Sequence, residues 1–153
     1  IVPADSFAVR FTPPRAGTFI YHAHADDQRQ IALGLYGPLI VLEPGATLDP
    51  ATDHVLLVSQ LGLGQGSLVG LNGTATPPPL ELKAGVRHRL RFINIAIQDL
   101  AGVRLVGADS TPVRWRALAK DGRATPSGAA RACSSGPARR TTSSSRCRPA
   151  TTA

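Results

Sequence analysis

Turn-forming residues cut this chain into short apolar stretches, and no stretch keeps a helical period long enough for an ordinary helix. Gly supplies 15 and Pro 13 of the 153 residues. Short strands joined by turns are what such punctuation permits. "SFAVRF" (6–11) alternates, with Phe7, Val9 and Phe11 on one face and Ser6, Ala8 and Arg10 on the other. After the turn chemistry of "TPPRAG" come "TFIYHAH" (18–24), "LYGPLIVLEPG" (35–45) and "DHVLLVSQL" (53–61), all rich in strand formers. "GLNG" (70–73) carries an Asn-Gly turn signal. "PLELKAGVRHRLRFINIA" (79–96) predicts strand, turn, strand, and 101–107 and 111–119 predict further short strands. The one helical candidate is a turn or two within "DDQRQIALG" (26–34). Strands at this spacing predict an all-β sandwich or barrel.

A different composition begins after Gly122. Residues 122–153 contain no Val, Leu, Ile, Phe, Tyr or Trp, but six Arg and no acid. Such a segment is expected to be a disordered tail, because it has too little apolar surface to offset its ordering entropy. The abruptness of the switch also fits an out-of-frame translation of GC-rich DNA, and both readings stand at this stage. Cys133 and Cys147 lie in the tail and are expected to be unpaired thiols. Removing the six Arg from 17 basic residues leaves 11 against 10 acids in 1–121. The net charge of +7 therefore belongs to the tail and does not point to nucleic acid. No run of eighteen apolar residues is present, so no membrane-spanning helix is expected. The first residues lack the pattern of a signal peptide, and the chain is expected to begin after processing or within a longer protein.

His22 and His24 are the residues that suggest chemistry. On a strand they project to one face with Ile20, with Cα atoms about 6.5–7 Å apart. That spacing suits one imidazole on each of two neighbouring metals better than two on one metal. Imidazole is a good ligand for copper, zinc, iron and nickel. A stable site takes three or four protein ligands. The other histidines carry plainer expectations: His54 opens a strand, and His88 shares a face with Leu90 and Phe92 as a hydrogen-bonded core residue. Arg87, Arg89 and Arg91 alternate and predict a solvated strand face. "GLGQG" (62–66) lacks the spacing of a dinucleotide loop and predicts a plain loop. Asp26 and Asp27 fit either groups that orient an imidazole or the start of the short helical turn. Trp115 is expected to be a core residue.

The stretch "FTPPRAGTFIYHAHADDQRQIALGLYGPLIVLEPG" (11–45) closely resembles the multicopper oxidase family, which includes laccases. Gly17, Thr18, Tyr21, His22, His24, Gln30, Gly34, Leu35, Gly37 and Pro38 all fit the end of that family's first cupredoxin domain. "VLLVSQLG", "LNG", "PLELKAGVRHRLRFIN" and "WRALAKDG" resemble the start of its second. The resemblance spans residues 1–122. It implies an incomplete cupredoxin-like Greek-key β-sandwich with a disordered tail. It divides the chain into 1–45 (end of the first domain), 46–122 (start of the second) and 123–153 (tail).

The resemblance also implies copper, with His22 and His24 as ligands of the type 3 pair in a trinuclear cluster. Dioxygen and an unknown reducing substrate are the implied partners, and a secreted or periplasmic location goes with them. This chain departs from the family by lacking the earlier His-x-His-Gly motif, the late His-x-x-His-x-His and the His-Cys-His segment. It is therefore expected to be inactive as an oxidase on its own. A copper-binding or interaction module without turnover, and a non-functional fragment of a truncated gene, are the alternatives.

Overall fold

A computed structural model describes residues 2–64, 67–96, 101–102, 106, 109–112, 115–125 and 134–135. Its elements run β1 (Gly17–His22), α1 (Asp27–Ala32), β2 (Tyr36–Val41), β3 (Asp53–Leu61), β4 (Leu68–Leu71), β5 (Arg89–Asn94), β6 (Ala101–Gly102), β7 (Ala119–Lys120), β8 (Arg123–Ala124) and β9 (Ser134–Ser135). The chain is all-β, as its turn density predicts, and its described residues include one helix, of six residues.

Strands β1 and β2 pair antiparallel, from Gly17↔Val41 to His22↔Tyr36. Tyr21 stands opposite Gly37, and a Cβ on Gly37 would overlap the Tyr21 ring. The glycine therefore makes room for an aromatic ring laid across the neighbouring strand. The second sheet has the order β4-β3-β5, with β4 antiparallel and β5 parallel to β3. Ile31, Leu57, Ile93 and Ile95 form the buried cluster, and Ile20, Tyr36 and Val55 pack against it. One apolar cluster thus joins α1 and both sheets. The helix is held to β3 by its buried Ile31 and Ala32 and by the Gly62 N–H, which donates to the Ala32 carbonyl at 3.2 Å.

A forked polar contact ties β1, β3 and β5 together. Arg91 donates from Nε and Nη2 to the two carboxylate oxygens of Asp53, both at 2.6 Å, and from Nη1 to Thr18 Oγ1 at 2.8 Å. The Arg91 side chain is 9% exposed and that of Asp53 13%. This corrects the solvated-face expectation for the alternating arginines. Arg87 and Arg89 are exposed, but Arg91 turns inward because Asp53 and Thr18 offer it a planar set of acceptors.

The Asn-Gly signal is also fulfilled. Asn72 and Gly73 both have positive φ, 50° and 83°, as a tight hairpin turn requires. Beyond the turn, the Asn72 side chain acts as a piece of backbone for β3. Its Oδ1 accepts from the Leu57 N–H at 2.8 Å, and its Nδ2 donates to the Val55 carbonyl at 3.1 Å. These groups lie just past the Val58↔Leu71 pair, where β4 ends.

Strand expectations fail in three places among the described residues: 6–11, 79–83 and 115–118 of the expected 111–119. Residues 6–11 pair with no strand, and Phe7, Val9 and Phe11 stay 68%, 70% and 64% exposed. Alternation gives that segment an apolar face, but a strand also needs an edge to bond to. Residues 79–83 are likewise unpaired, and the Lys83 N–H donates to a histidine ring instead of a neighbouring strand. At the other end, β8 folds back on β7 across Asp121 and Gly122, and β9 pairs with β6. Residues 123–125 and 134–135 of the expected tail are thus in short pairings. The rest of the tail, with Cys133 and Cys147, lies outside the described residues.

Replacing Arg91 by Met strands a nearly buried carboxylate and is expected to cost about 3 kcal/mol. Adding Asp53→Leu should recover part of that loss, and the urea midpoints of the two variants check it. Asn72→Gly keeps the positive φ but deletes two hydrogen bonds, for an expected loss of about 1–2 kcal/mol. Asn72→Ala should lose about 1 kcal/mol more, because alanine also resists the left-handed conformation.

Candidate metal centre

The two histidines sit where β1 gives way to the loop before α1. His22 is the last residue of β1, opposite Tyr36, and His24 lies two residues beyond. The strand is shorter than the 18–24 expected, although one more ladder bond follows from Ala23 N–H to the Leu35 carbonyl at 3.0 Å. The same face of β1 carries Thr18, which bonds Arg91, and Ile20, which packs on the core. His22 therefore stands on the inward face of the hairpin and is half-buried, while His24 is exposed.

The imidazoles are neighbours, with ring centroids 5.7 Å apart and planes tilted by 33°. His22 Nδ1 lies 2.8 Å from the Ala23 carbonyl oxygen. A carbonyl only accepts, so Nδ1 carries the proton and Nε2 keeps its lone pair. Metal-binding histidines are commonly held in this way, one ring nitrogen donating to a carbonyl while the other ligates. The donor set of this pair fits copper or zinc.

Other candidates fall elsewhere. Asp26 is the N-cap residue of α1 and Asp27 lies in its first turn, with no side-chain cap bond. The Asp27 carboxylate takes the N–H of Gln28 at 2.9 Å, which favours the helix-start role. His54 and His88 lie together on another part of the molecule. They belong to the face of the second sheet opposite Val55, Leu57 and Ile93, alongside Phe92, whose ring meets Trp115 edge-on at 5.9 Å. Trp115 is half-buried against Phe92 and is not part of the buried cluster, which corrects the core expectation. Among the described residues no group of three or more His, Cys, Asp or Glu could hold a metal ion. The described residues thus contribute two imidazoles at this site.

Sequence reasoning missed the Arg91 fork and the meeting of His54 with His88. The fork had no local signal, because Asp53 and Arg91 meet only through the parallel pairing of β3 with β5. The histidine meeting had none, because the parallel β3–β5 pairing that produces it is not local.

Comparison with known proteins bears on residues around this hairpin. A family model described as multicopper oxidase matches residues 1–46. L-ascorbate oxidase of Cucumis sativus is 44% identical over 50 residues, which make up 33% of this chain and 8% of that protein. No solved structure matches the chain. The hairpin that carries His22 and His24 lies wholly within the matched residues, and this part of the chain is similar to the multicopper oxidase family.

Proposed function

We propose that this chain is part of a multicopper oxidase in which His22 and His24 each hold one copper of the type 3 pair. The observation that carries the reading is the state of the first ring: His22 gives its Nδ1 proton to a carbonyl, and so presents Nε2 as a ligand. The second ring lies 5.7 Å away in a tilted plane, a spacing that suits a separate metal for each imidazole. The family match over 1–46 supports copper as that metal. Bound copper supplies one-electron redox chemistry, and the family uses it to reduce dioxygen to water.

The chain's residues do three things toward that site. The β1–β2 ladder sets the direction of His22, because its last rung is His22↔Tyr36. The Ala23 carbonyl fixes the ring's tautomer. The packing of Ile20 and Tyr36 on the core holds the hairpin end against α1 and the second sheet. The division into first-domain and second-domain pieces at 45/46 belongs to the same proposal, as does a secreted or periplasmic location. The match to L-ascorbate oxidase covers too little of that protein to assign a reducing substrate here.

Two imidazoles fall short of the three or four ligands a stable site takes. Copper binding without turnover is therefore the behaviour proposed for this chain by itself. Titration of the purified chain with Cu²⁺, followed by NMR line broadening, should erase the His22 and His24 ring signals before those of His54 and His88. His22→Ala or His24→Ala should weaken binding by at least about tenfold. Equal affinity in the double variant would sink the assignment. An oxygen electrode should register no dioxygen uptake by the copper-loaded chain with a phenol as reductant.

A further inference from the structure

The second pair of histidines has a different geometry from the first. His54 is the second residue of β3, and His88 directly precedes β5. The parallel register sets His54 opposite Leu90, so the two rings meet across the mouth of the strand pair. His54 Nε2 and His88 Nδ1 are 3.1 Å apart, the ring centroids 5.3 Å, and the planes 24°. With centroids so much farther apart than the nitrogens, and planes nearly parallel, the two nitrogens point at each other. Lone pairs that bind one metal must converge on a third point. These do not, and the arrangement is that of an N–H···N hydrogen bond.

The backbone settles which ring holds which proton. The Lys83 N–H donates to His88 Nε2 at 3.1 Å. His88 Nε2 must then carry a lone pair, and the proton of the neutral ring sits on Nδ1. That proton is donated to His54 Nε2, so His54 is protonated on Nδ1. The Lys83 carbonyl lies 3.3 Å from the same His88 Nε2 and offers an acceptor should that nitrogen gain a proton. A third proton on the pair can be placed only by giving up the Lys83 N–H bond. His54 then becomes a cation and donates from Nε2 to His88 Nδ1, while the His88 proton sits on Nε2, where it faces the Lys83 N–H and must turn to the Lys83 carbonyl. A fourth cannot be housed: both facing nitrogens would carry hydrogen, and two cations would stand 3.1 Å apart.

Asp49, in the turn before β3, is drawn below the usual carboxylate range chiefly by the Ala51 N–H and the Thr52 hydroxyl, with a smaller contribution from His54. It lies close enough to His54 to attract its charge. Glu81, Lys83 and Arg87 of the 79–88 loop are exposed. Asp53, Arg89 and Arg91 occupy the alternate positions of β3 and β5, whose side chains face the other side of the sheet. Residues 79–87 lie outside every strand, and the bond from Lys83 to His88 ties them to the second sheet.

We propose that the His54–His88 pair is an acid-operated clasp, which holds the 79–88 loop on β3 through one shared proton and the Lys83 N–H bond, and loosens as the rings take up further protons. The unclasped chain takes up two added protons without losing a bond, whereas the clasp gives up the Lys83 bond to the first and the ring–ring bond to the second. The clasp must therefore weaken as pH falls. The copper reading is not involved, since neither ring belongs to the His22–His24 site.

The test is NMR on the metal-free full chain between about pH 8 and about pH 4.5, a window that spans ordinary imidazole titration. Ring ¹⁵N shifts should show both neutral rings protonated on Nδ1, with the His88 proton moving to Nε2 as the first proton binds. Hydrogen exchange at the Lys83 amide, corrected for its intrinsic pH dependence, should speed up by about tenfold or more at the acid end. Leu57, in the core of β3, should not follow it. His88→Gln places an amide oxygen near the position of Nε2 but cannot become a cation, and should remove the pH dependence at Lys83. Rings protonated on Nε2 at high pH would overturn the proposal. So would corrected Lys83 exchange that is flat with pH in the unaltered chain.

Discussion

The Arg91 guanidinium is the contact on which the rest of the arrangement depends. It reaches Asp53 on β3 and Thr18 on β1 from its own place on β5, and so joins the two sheets with one side chain. Charge-assisted bonds of this kind are directional as well as strong. They hold the β1–β2 hairpin against the second sheet in one orientation, with Ile20 and Tyr36 turned to the shared cluster. His22 follows on the same face of β1. The position of the candidate metal centre is thus set from a residue on another sheet, 69 places later in the chain.

Local patterns were legible where both partners of a contact lie close in the chain. β1 and β3 appear within a residue or two of their expected places, and β2 starts one residue late and ends four early, because β-branched and aromatic runs between turn residues decide them. The Asn72–Gly73 turn was legible for the same reason. What composition could not show is which edges find partners. Phe7, Val9 and Phe11 alternate as well as any residues in the chain, yet nothing among the described strands offers them a ladder. Leu80 and Leu82 share that fate, with the nearby Lys83 N–H given to His88.

The candidate site was legible in part. The same-face placement of His22 and His24 follows from strand geometry alone, and the rings do lie side by side. The tautomer of His22 was not legible, because it depends on the backbone turning just after the strand and bringing the Ala23 carbonyl to Nδ1. The inward role of Arg91 was hidden by its exposed neighbours Arg87 and Arg89, since alternation tells which residues share a face but not what that face meets.

Gly37 carries a consequence for the metal centre that its lack of a side chain conceals. Side chains on a strand alternate, so a slip of one residue between β1 and β2 would change which residues face each other along the whole hairpin. The Tyr21 ring occupies space that only a glycine leaves open, and its neighbours on β2 are the bulky Tyr36 and Pro38. A shifted register would drive that ring into one of them. Gly37 therefore works as a key for alignment: it admits one register, and that register puts His22 across from Tyr36.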